Sequence, residues 1–158
     1  MATIYRAPEQ TALNFSNKSI FLAGSIDMGR AKLWQQVIEE ELKEYNCTIF
    51  NPRRLDFDPT VEYSPKNLYM KEQIEWELKY LDIADIVVFY FDINGKAPIS
   101  LYEVGRVSHE VASGKKKGLI YCPIGYWKRA NVIINGEYDG FEFAESEEIF
   151  IDKIKMML

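Results

Sequence analysis

Residues 86–91 form an unbroken run of apolar side chains, rich in β-branched and aromatic types, with Asp85 before it and Asp92 after it. A run this short predicts a strand that is buried on both faces, as in a parallel sheet. A loop at residues 94–98, with glycine and proline, breaks the chain, and apolar residues at helical spacing then predict a helix. In open parallel sheets, ligands bind at the edge where such a strand ends and such a helix begins. Glu103, in the first turn of this helix, is therefore predicted to face a ligand site.

Strands and helices alternate along the rest of the chain. Short apolar runs predict four more strands, at residues 19–23, 48–50, 118–121 and 131–135. Apolar residues at helical spacing predict three more helices, at residues 31–45, 68–81 and from Ser146 onward. The alternation predicts an α/β fold, a doubly wound, flavodoxin-like five-stranded parallel sheet with helices on both faces. Residues 1–158 are expected to form a single domain, in which residues 1–18 are an irregular N-terminal arm.

The amino-acid composition limits the kinds of partner that the protein can bind and the cellular compartment in which it is expected. The net charge of -5 and the pI of about 5.0 argue against a nucleic-acid polymer as partner, because such a partner needs a basic face. No apolar run approaches the length of a membrane span, and the first residues lack the apolar core of a signal peptide. Cys47 and Cys122 have no partner spacing for metal or redox chemistry. We expect a cytoplasmic protein without a membrane partner.

Several kinds of site are excluded by what the sequence lacks. Neither a dinucleotide-binding glycine pattern nor a P-loop pattern is present. The single histidine, His109, lies on the opposite side of its helix from the apolar stripe, so it is predicted to be solvated. Triads of the Ser-His-Asp or Cys-His type would need this histidine. The sequence therefore predicts no metal site and no cofactor.

Carboxylates remain as the candidates for chemistry. Asp85 precedes the central strand, Asp92 follows it, and Glu103 opens the next helix. Each has a plain structural alternative: Asp85 as a strand-entry turn residue, Asp92 as a loop cap, and Glu103 as a complement to the helix dipole. Three carboxylates near one ligand edge favour a functional site.

Two arginines follow the second predicted strand. Arg53 and Arg54 could hold an anion or stack on a planar ring. Ion pairing with acidic residues of the same loop is an equally good interpretation, with candidates at Asp56, Asp58 and Glu62. Four aromatic side chains could stack a nucleobase: Trp34, Trp76, Tyr90 and Trp127. Of these, Trp34 belongs more naturally to the core.

Six segments in a fixed order carry a family resemblance. They are Ile20-Phe-Leu-Ala-Gly-Ser-Ile26, Trp34-Gln35, Asn51-Pro-Arg-Arg54, Gln73-Ile-Glu-Trp-Glu77, Ala84-Asp85 and Ser100-Leu-Tyr-Glu-Val-Gly105. Together they resemble the nucleoside 2-deoxyribosyltransferases, especially the branch found in bacterial and phage genomes. The resemblance implies that Glu103 is the nucleophile that attacks the anomeric carbon, and that Asp85 contacts the sugar or the base. The substrate-binding residues that we expect on this basis are Gly24, Ser25, Asn51, Arg53, Arg54, Trp76 and Asn131.

The chain departs from the family pattern in two places. Better-known members carry an aspartate in the loop before the glutamate, but residues 93–102 contain no carboxylate, so Asp92 is the available substitute. Members also use a late asparagine from a neighbouring subunit to hold the sugar hydroxyls. Asn131 and Asn135 are the candidates here. The resemblance thus implies a homo-oligomer.

The chemistry that these residues suit is cleavage of an N-glycosidic bond. Such cleavage builds positive charge on the sugar, and an ionised carboxylate stabilises that charge before it bonds to the sugar. Asp92 or Asp85, with a pKa raised by burial, would protonate the departing base. We expect an N-glycosyl transferase that exchanges the base of 2'-deoxynucleosides through a covalent glycosyl-glutamate intermediate, with a nucleoside or nucleotide and a free nucleobase as its ligands.

Two alternatives stay open at this point. One is an N-glycoside hydrolase of nucleoside monophosphates, in which Arg53 or Arg54 holds the phosphate. The other is a nucleotide-binding module that has the fold without the chemistry.

Overall fold

The computed structural model describes residues 1–11, 15–27 and 30–158. Six strands form one sheet: β1 Thr3–Arg6, β2 Lys18–Gly24, β3 Cys47–Asn51, β4 Ile86–Tyr90, β5 Lys117–Tyr121 and β6 Glu142–Ala144. Five helices connect or follow them: α1 Trp34–Leu42, α2 Leu68–Ile83, α3 Pro98–Ala112, α4 Arg129–Asp139 and α5 Glu147–Met157. No helix in these described ranges is both long and apolar enough to cross a membrane.

The strand order in the sheet is β1-β3-β2-β4-β5-β6, and every neighbouring pair is parallel. From β2 the chain moves outward to β3, then returns to place β4 on the other side of β2. The carboxyl ends of β2 and β4 therefore flank the point where the winding reverses, which is where ligands bind in such sheets. The predicted doubly wound, flavodoxin-like fold is confirmed, with six strands instead of five.

One predicted strand is wrong. Residues 131–135 lie in α4, where Val132 and Gly136 are buried one turn apart, as a helix requires. Gly136 lets the helix lie close to the sheet, because a Cβ atom there would be 2.6 Å from the ring of Phe143. The β-branched run that suggested a strand is short, and a run of this length does not separate a strand from a helix. The last strand of the sheet is β6.

The N-terminal arm is more regular than predicted. Its residues 3–6 are β1, which pairs with β3 in parallel and forms the edge of the sheet. Residues 12–14 of the predicted arm lie outside the described residues. The sequence pattern did not reveal β1 because it is an edge strand, which needs only one partner strand and only one buried face and so has few apolar residues.

Helices cover both faces of the sheet, as predicted. On one face, α2, α3 and α4 pack through aromatic and β-branched side chains such as Trp76, Tyr80 and Val107. On the other face lie α1 and α5, where Trp34 stacks on Tyr90 with ring centroids 5.0 Å apart. Trp34 thus belongs to the core. Because α2 and α3 share a face, polar side chains on their facing sides can meet.

Candidate active site

Glu103 lies in the second turn of α3, one turn deeper than predicted, because the helix already begins at Pro98. The residue before it, Ala97, has a left-handed backbone conformation with φ of 44°, which turns the loop sharply into the helix. Glu103 is partly buried against the neighbouring helix. Withdrawal from water raises its pKa to about 8, and the negative charge of Glu77 adds to the rise.

Glu77, on α2, is the second carboxyl group of the site. Burial raises its pKa, and a hydrogen bond from Gln73 opposes that rise. Because loss of hydration and the negative charge of Glu77 both disfavour ionisation of Glu103, Glu103 keeps its proton at neutral pH. The two side chains can therefore offer one carboxylate and one carboxylic acid, which are the two forms that glycosyl transfer needs.

Gln73 connects this pair to the sheet. Its Nε2 donates to Oε1 of Glu77 at 2.7 Å and to the carbonyl oxygen of Pro52 at 2.8 Å. Pro52 directly follows β3, so Gln73 lies level with the carboxyl edge. Its Oε1 is buried and, within the described residues, has no hydrogen-bond partner. A buried acceptor of this kind is rare in folded proteins and points to a functional role or to a bound molecule.

Gly24 and Ser25 build the floor of the site where β2 meets β4. Gly24 has φ of 141°, and a Cβ atom there would be 2.3 Å from the carbonyl oxygen of Tyr90, so only glycine fits. Ser25 is buried; its backbone N–H donates to Tyr90 at 2.8 Å, and its Oγ accepts from the backbone N–H of Asp92 at 2.9 Å. Both predicted substrate-binding residues therefore shape the edge through the backbone.

Asp92 lies at the carboxyl edge, as predicted, but it acts as a loop cap. Its Oδ1 accepts from the N–H of Asn94 at 2.8 Å, and its Oδ2 accepts from the N–H of Lys32 at 3.4 Å. Its charge helps to raise the pKa of Tyr90, whose side chain is on the α1 and α5 face. The pKa of Glu103 is raised by Glu77 and not by Asp92, so the structure does not join Asp92 to the carboxyl pair.

Asp85 lies at the opposite edge of the sheet, and its predicted place at the ligand edge is wrong. Its Oδ2 accepts from the backbone N–H and from the hydroxyl of Ser19, both at 2.8 Å, which fastens the start of β4 to β2. A strand rises about 3.3 Å per residue, so the ends of β4 are separated by roughly 15 to 20 Å. The strand-entry role is therefore the one that the structure shows.

Arg53 fastens two loops of the edge together. Its guanidinium donates to the carbonyl oxygens of Ala31 and Lys32, both at 3.0 Å, and to Oε1 of Gln35 at 3.4 Å. Burial lowers its pKa. The arginine thus holds the loop before α1 against the loop after β3, and these bonds take up the donors that a phosphate would need.

Arg54 forms ion pairs with acidic side chains, so its guanidinium is not free to bind an anion or the planar ring of a ligand. Its guanidinium donates to Asp56 at 2.9 Å and to Glu72 at 3.2 Å, and it lies over the ring of Tyr69 at 4.1 Å from the centroid. These contacts keep its side chain only 7% exposed. Arg54 stabilises the long loop between β3 and α2.

Asn51 and Trp76 also have structural roles. The amide of Asn51 donates to Glu39 at 2.7 Å and accepts from the backbone N–H of Arg53 at 2.9 Å, and the residue is buried. Trp76 is 1% exposed, and its indole N–H donates to the carbonyl oxygen of Glu9 at 2.7 Å. Its ring is enclosed by the core and is not open for a base to stack on.

Asn131 lies on the outer side of α4, in the first turn after the carboxyl edge. Ile134 and Tyr138 follow at helical spacing on the same side, and they are 67% and 92% exposed. The helix therefore carries an exposed stripe that combines an amide with two large apolar side chains. Such a stripe is unusual on a free surface.

Sequence reasoning missed Glu77 and Gln73 as site residues, although both belong to a segment that carries the resemblance. The signal was present in the helical spacing: both residues border the buried positions Trp76 and Tyr80 on α2. Polar side chains at the border of an apolar stripe are half sheltered, and such a position favours a perturbed pKa. Their meeting with Glu103 depends on the packing of two helices, which no local pattern encodes.

Asp27, in the loop after β2, was also missed. Its Oδ1 accepts from the N–H of Ala97 at 3.3 Å, while its Oδ2 is buried and has no partner in the described ranges of the chain. Oδ2 would lie 2.1 Å from a Cβ atom built on Gly95. The loop at residues 93–102 lacks a carboxylate of its own, and Asp27 places one against it.

Comparison with known proteins identifies the family and supports the fold. The family model described as nucleoside 2-deoxyribosyltransferase like matches residues 17–126, which confirms the resemblance found in the sequence. A conserved protein from Enterococcus faecalis V583 is similar in structure, with a TM-score of 0.58, 12% identity, and coverage of 90% of this chain and 100% of that one. The CMP N-glycosidase BcmB from Clostridium botulinum is similar too, with a TM-score of 0.55, 15% identity, and coverage of 89% and 100%. At these identities the two structures support the fold alone. Among curated proteins, none matches at a significant level.

Proposed function

The chain belongs to the nucleoside 2-deoxyribosyltransferase-like family, and we propose that it exchanges the base of 2'-deoxynucleosides through a covalent intermediate on Glu103. The observation that carries this proposal is the pair of carboxyl groups with raised pKa values, Glu103 on α3 and Glu77 on α2. Burial raises both pKa values, and the negative charge of Glu77 adds to the rise at Glu103. The family supports handling of an N-glycosidic bond, and the pair supports the chemistry of transfer.

The first half of the reaction starts from the form of the pair in which the proton has moved to Glu77 from Glu103, whose raised pKa holds it at neutral pH, so that Glu103 is ionised. An oxygen of Glu103 bonds to the anomeric carbon while the bond from that carbon to the base nitrogen breaks. Glu77 gives its proton to the base, which leaves neutral. Positive charge on the sugar favours ionised Glu103, so the reaction itself draws the proton toward Glu77.

In the second half, a nitrogen of the incoming base attacks the anomeric carbon and displaces Glu103. The incoming base passes its proton to Glu77, which restores the starting state. Two displacements at one carbon give net retention. Glu77 thus takes the role of acid and base that the sequence analysis left to Asp85 or Asp92.

Neutral nucleosides fit this edge better than nucleoside monophosphates. Arg53 donates to backbone carbonyls and Arg54 to carboxylates, so the two predicted phosphate ligands are occupied by protein groups. Asp27 adds a carboxylate oxygen without a partner among the described residues, and this negative charge repels a phosphate while it accepts a hydroxyl.

A homo-oligomer is part of the proposal. Asn131, Ile134 and Tyr138 form the exposed stripe of α4, and on the adjacent helix α3 the residue before Glu103, Tyr102, is 71% exposed. Association through this surface would cover apolar side chains and bring Asn131 of one subunit toward the Glu103 site of another.

Incubation with deoxyadenosine and free cytosine tests the proposal. Formation of deoxycytidine means transfer, whereas free adenine without deoxycytidine means hydrolysis. The same incubation with deoxyadenosine monophosphate is expected to give much slower turnover. Absence of any product with both substrates would contradict the proposed activity, and faster turnover of the monophosphate would contradict the preference for nucleosides.

A further inference from the structure

The orientation of the Gln73 amide is fixed by its two acceptors. Nε2 donates to the carbonyl oxygen of Pro52 and to Oε1 of Glu77. A carbonyl oxygen can only accept, so a rotated amide would place two acceptors against each other. Oε1 of Gln73 must therefore point the other way, where it is buried and where the described residues offer it no donor.

Glu77 is oriented by the same contact. Its Oε1 receives the hydrogen bond from Gln73, which leaves Oε2 as the oxygen that can take up a proton. A donor on Glu77 and an acceptor on Gln73 thus belong to neighbouring side chains, one helical turn apart on α2. Together they can bind a ligand edge that presents an acceptor beside a donor.

The nucleobases differ in this pattern. Adenine presents the N7 acceptor beside its N6 amino group, and cytosine presents the N3 acceptor beside its N4 amino group. Uracil and hypoxanthine carry an oxygen where the amino group would be. An oxygen there would face Oε1 of Gln73, and two acceptors would be left without a proton between them.

We propose that Gln73 is a specificity-determining residue that selects bases with an exocyclic amino group, adenine and cytosine, by accepting a hydrogen bond from that group. This inference rests on the proposed function, since it assumes that Glu103 faces the sugar and Glu77 the base. Glu77 donates a hydrogen bond to the ring nitrogen, and the amino group on the same edge of the base donates a hydrogen bond to Gln73. Recognition of the base is thereby coupled to its protonation.

Binding to Glu103→Gln protein tests the inference without turnover. Deoxyadenosine and purine 2'-deoxyriboside differ only in the amino group, so calorimetric titration with each compares the same nucleoside with and without the proposed donor. We expect deoxyadenosine to bind about ten-fold more tightly or better, because a site built to accept from an N–H group rejects the analogue that lacks it. The comparison requires no change at Gln73.

A second variant assigns the preference to this side chain. In Glu103→Gln protein that also carries Gln73→Met, which keeps the length and removes the acceptor, the ratio of the two dissociation constants is expected to approach one. Gln36→Met in the same background, at an exposed position of α1, is the matched control and should keep the full ratio. Thermal unfolding of each variant verifies that it is folded.

The outcomes separate the inference from the function. Equal binding of both nucleosides, or binding of neither, overturns the inference, as does a preference that survives Gln73→Met. The protein could also prefer deoxyadenosine through Gln73 while the wild-type form transfers no base. That result would support the inference and overturn the proposed function.

Discussion

Replacement of Glu103 by glutamine is expected to change how the stability of the protein depends on pH. In the folded protein, burial and the charge of Glu77 raise the pKa of Glu103 from 4.5 to about 8. Between these two values the folded state holds a proton that the unfolded state releases, so the free energy of unfolding falls as the pH rises toward 8. A shift of this size corresponds to a loss of about 2 to 3 kcal/mol between pH 6 and pH 9. Partial exposure of Glu103 brings the expected loss to the lower end, about 2 kcal/mol.

Urea denaturation at pH 6 and at pH 9 measures this effect. Glutamine carries no charge to bury, so Glu103→Gln should gain about 2 kcal/mol over the wild-type protein when the pH is changed from 6 to 9. Glu75→Gln, at an exposed position of α2, is the control, and its difference from wild type should be small and equal at the two pH values. If the advantage of Glu103→Gln is the same at pH 6 and pH 9, the pKa of Glu103 is not raised and the argument from the carboxyl pair fails.

Three further predictions concern the chemistry, the floor of the site and the assembly. The kcat/KM of the wild-type protein should decline above about pH 8, where the carboxyl pair loses its last proton. Glu77→Gln should lower kcat/KM by roughly 100-fold or more and should remove this decline. If the decline persists in the variant, another group is responsible for it. Gly24→Ala should lower the free energy of unfolding in urea by about 2 to 4 kcal/mol, because its Cβ atom would overlap the carbonyl oxygen of Tyr90. The control Gly105→Ala, at an open helical position, should raise this free energy by up to about 1 kcal/mol. Equal effects would show that the close approach to Tyr90 is not what selects glycine. Glu103→Ala and Asn131→Ala proteins, each inactive alone, should regain part of the activity when mixed, and no recovery after exchange of subunits would place both residues in the same subunit.

Much of the fold could be predicted from local patterns. The buried run at residues 86–91 identified the central strand, and the glycine and proline after it marked the loop that opens the carboxyl edge. These features are local because a strand buried on both faces must be apolar throughout. The run at residues 131–135 was wrongly predicted to be a strand for the same reason, because it is apolar and β-branched. The run is also short, and only the close approach of Gly136 to β6 shows that it packs as a helix.

The site could be predicted only where sequence order places a residue at the edge. Glu103 follows the central strand by one loop, so the topology alone brings it there. Asp85 was assigned to the same edge because it is close in sequence, but a strand carries its two ends apart. Glu77 is 26 positions from Glu103 and reaches it through the packing of α2 beside α3 on one face, which the periodicity of neither helix reveals.

The site also explains why the surrounding core is so aromatic. Glu77, Glu103 and Gln73 place poorly hydrated polar groups beside α2, and each of them lowers the stability of the folded chain. The same helix contributes Trp76 and Tyr80, whose rings lie 4.6 Å apart, and the ring of Phe50 lies 4.6 Å from that of Tyr80. Buried aromatic rings contribute more apolar area per residue than aliphatic side chains do, and their pairs add about 0.5 to 1.5 kcal/mol each. The large rings on α2 therefore offset the cost of its two poorly hydrated polar side chains, so that Trp76 stabilises the fold beside Glu77, the residue for which we propose a role in the chemistry.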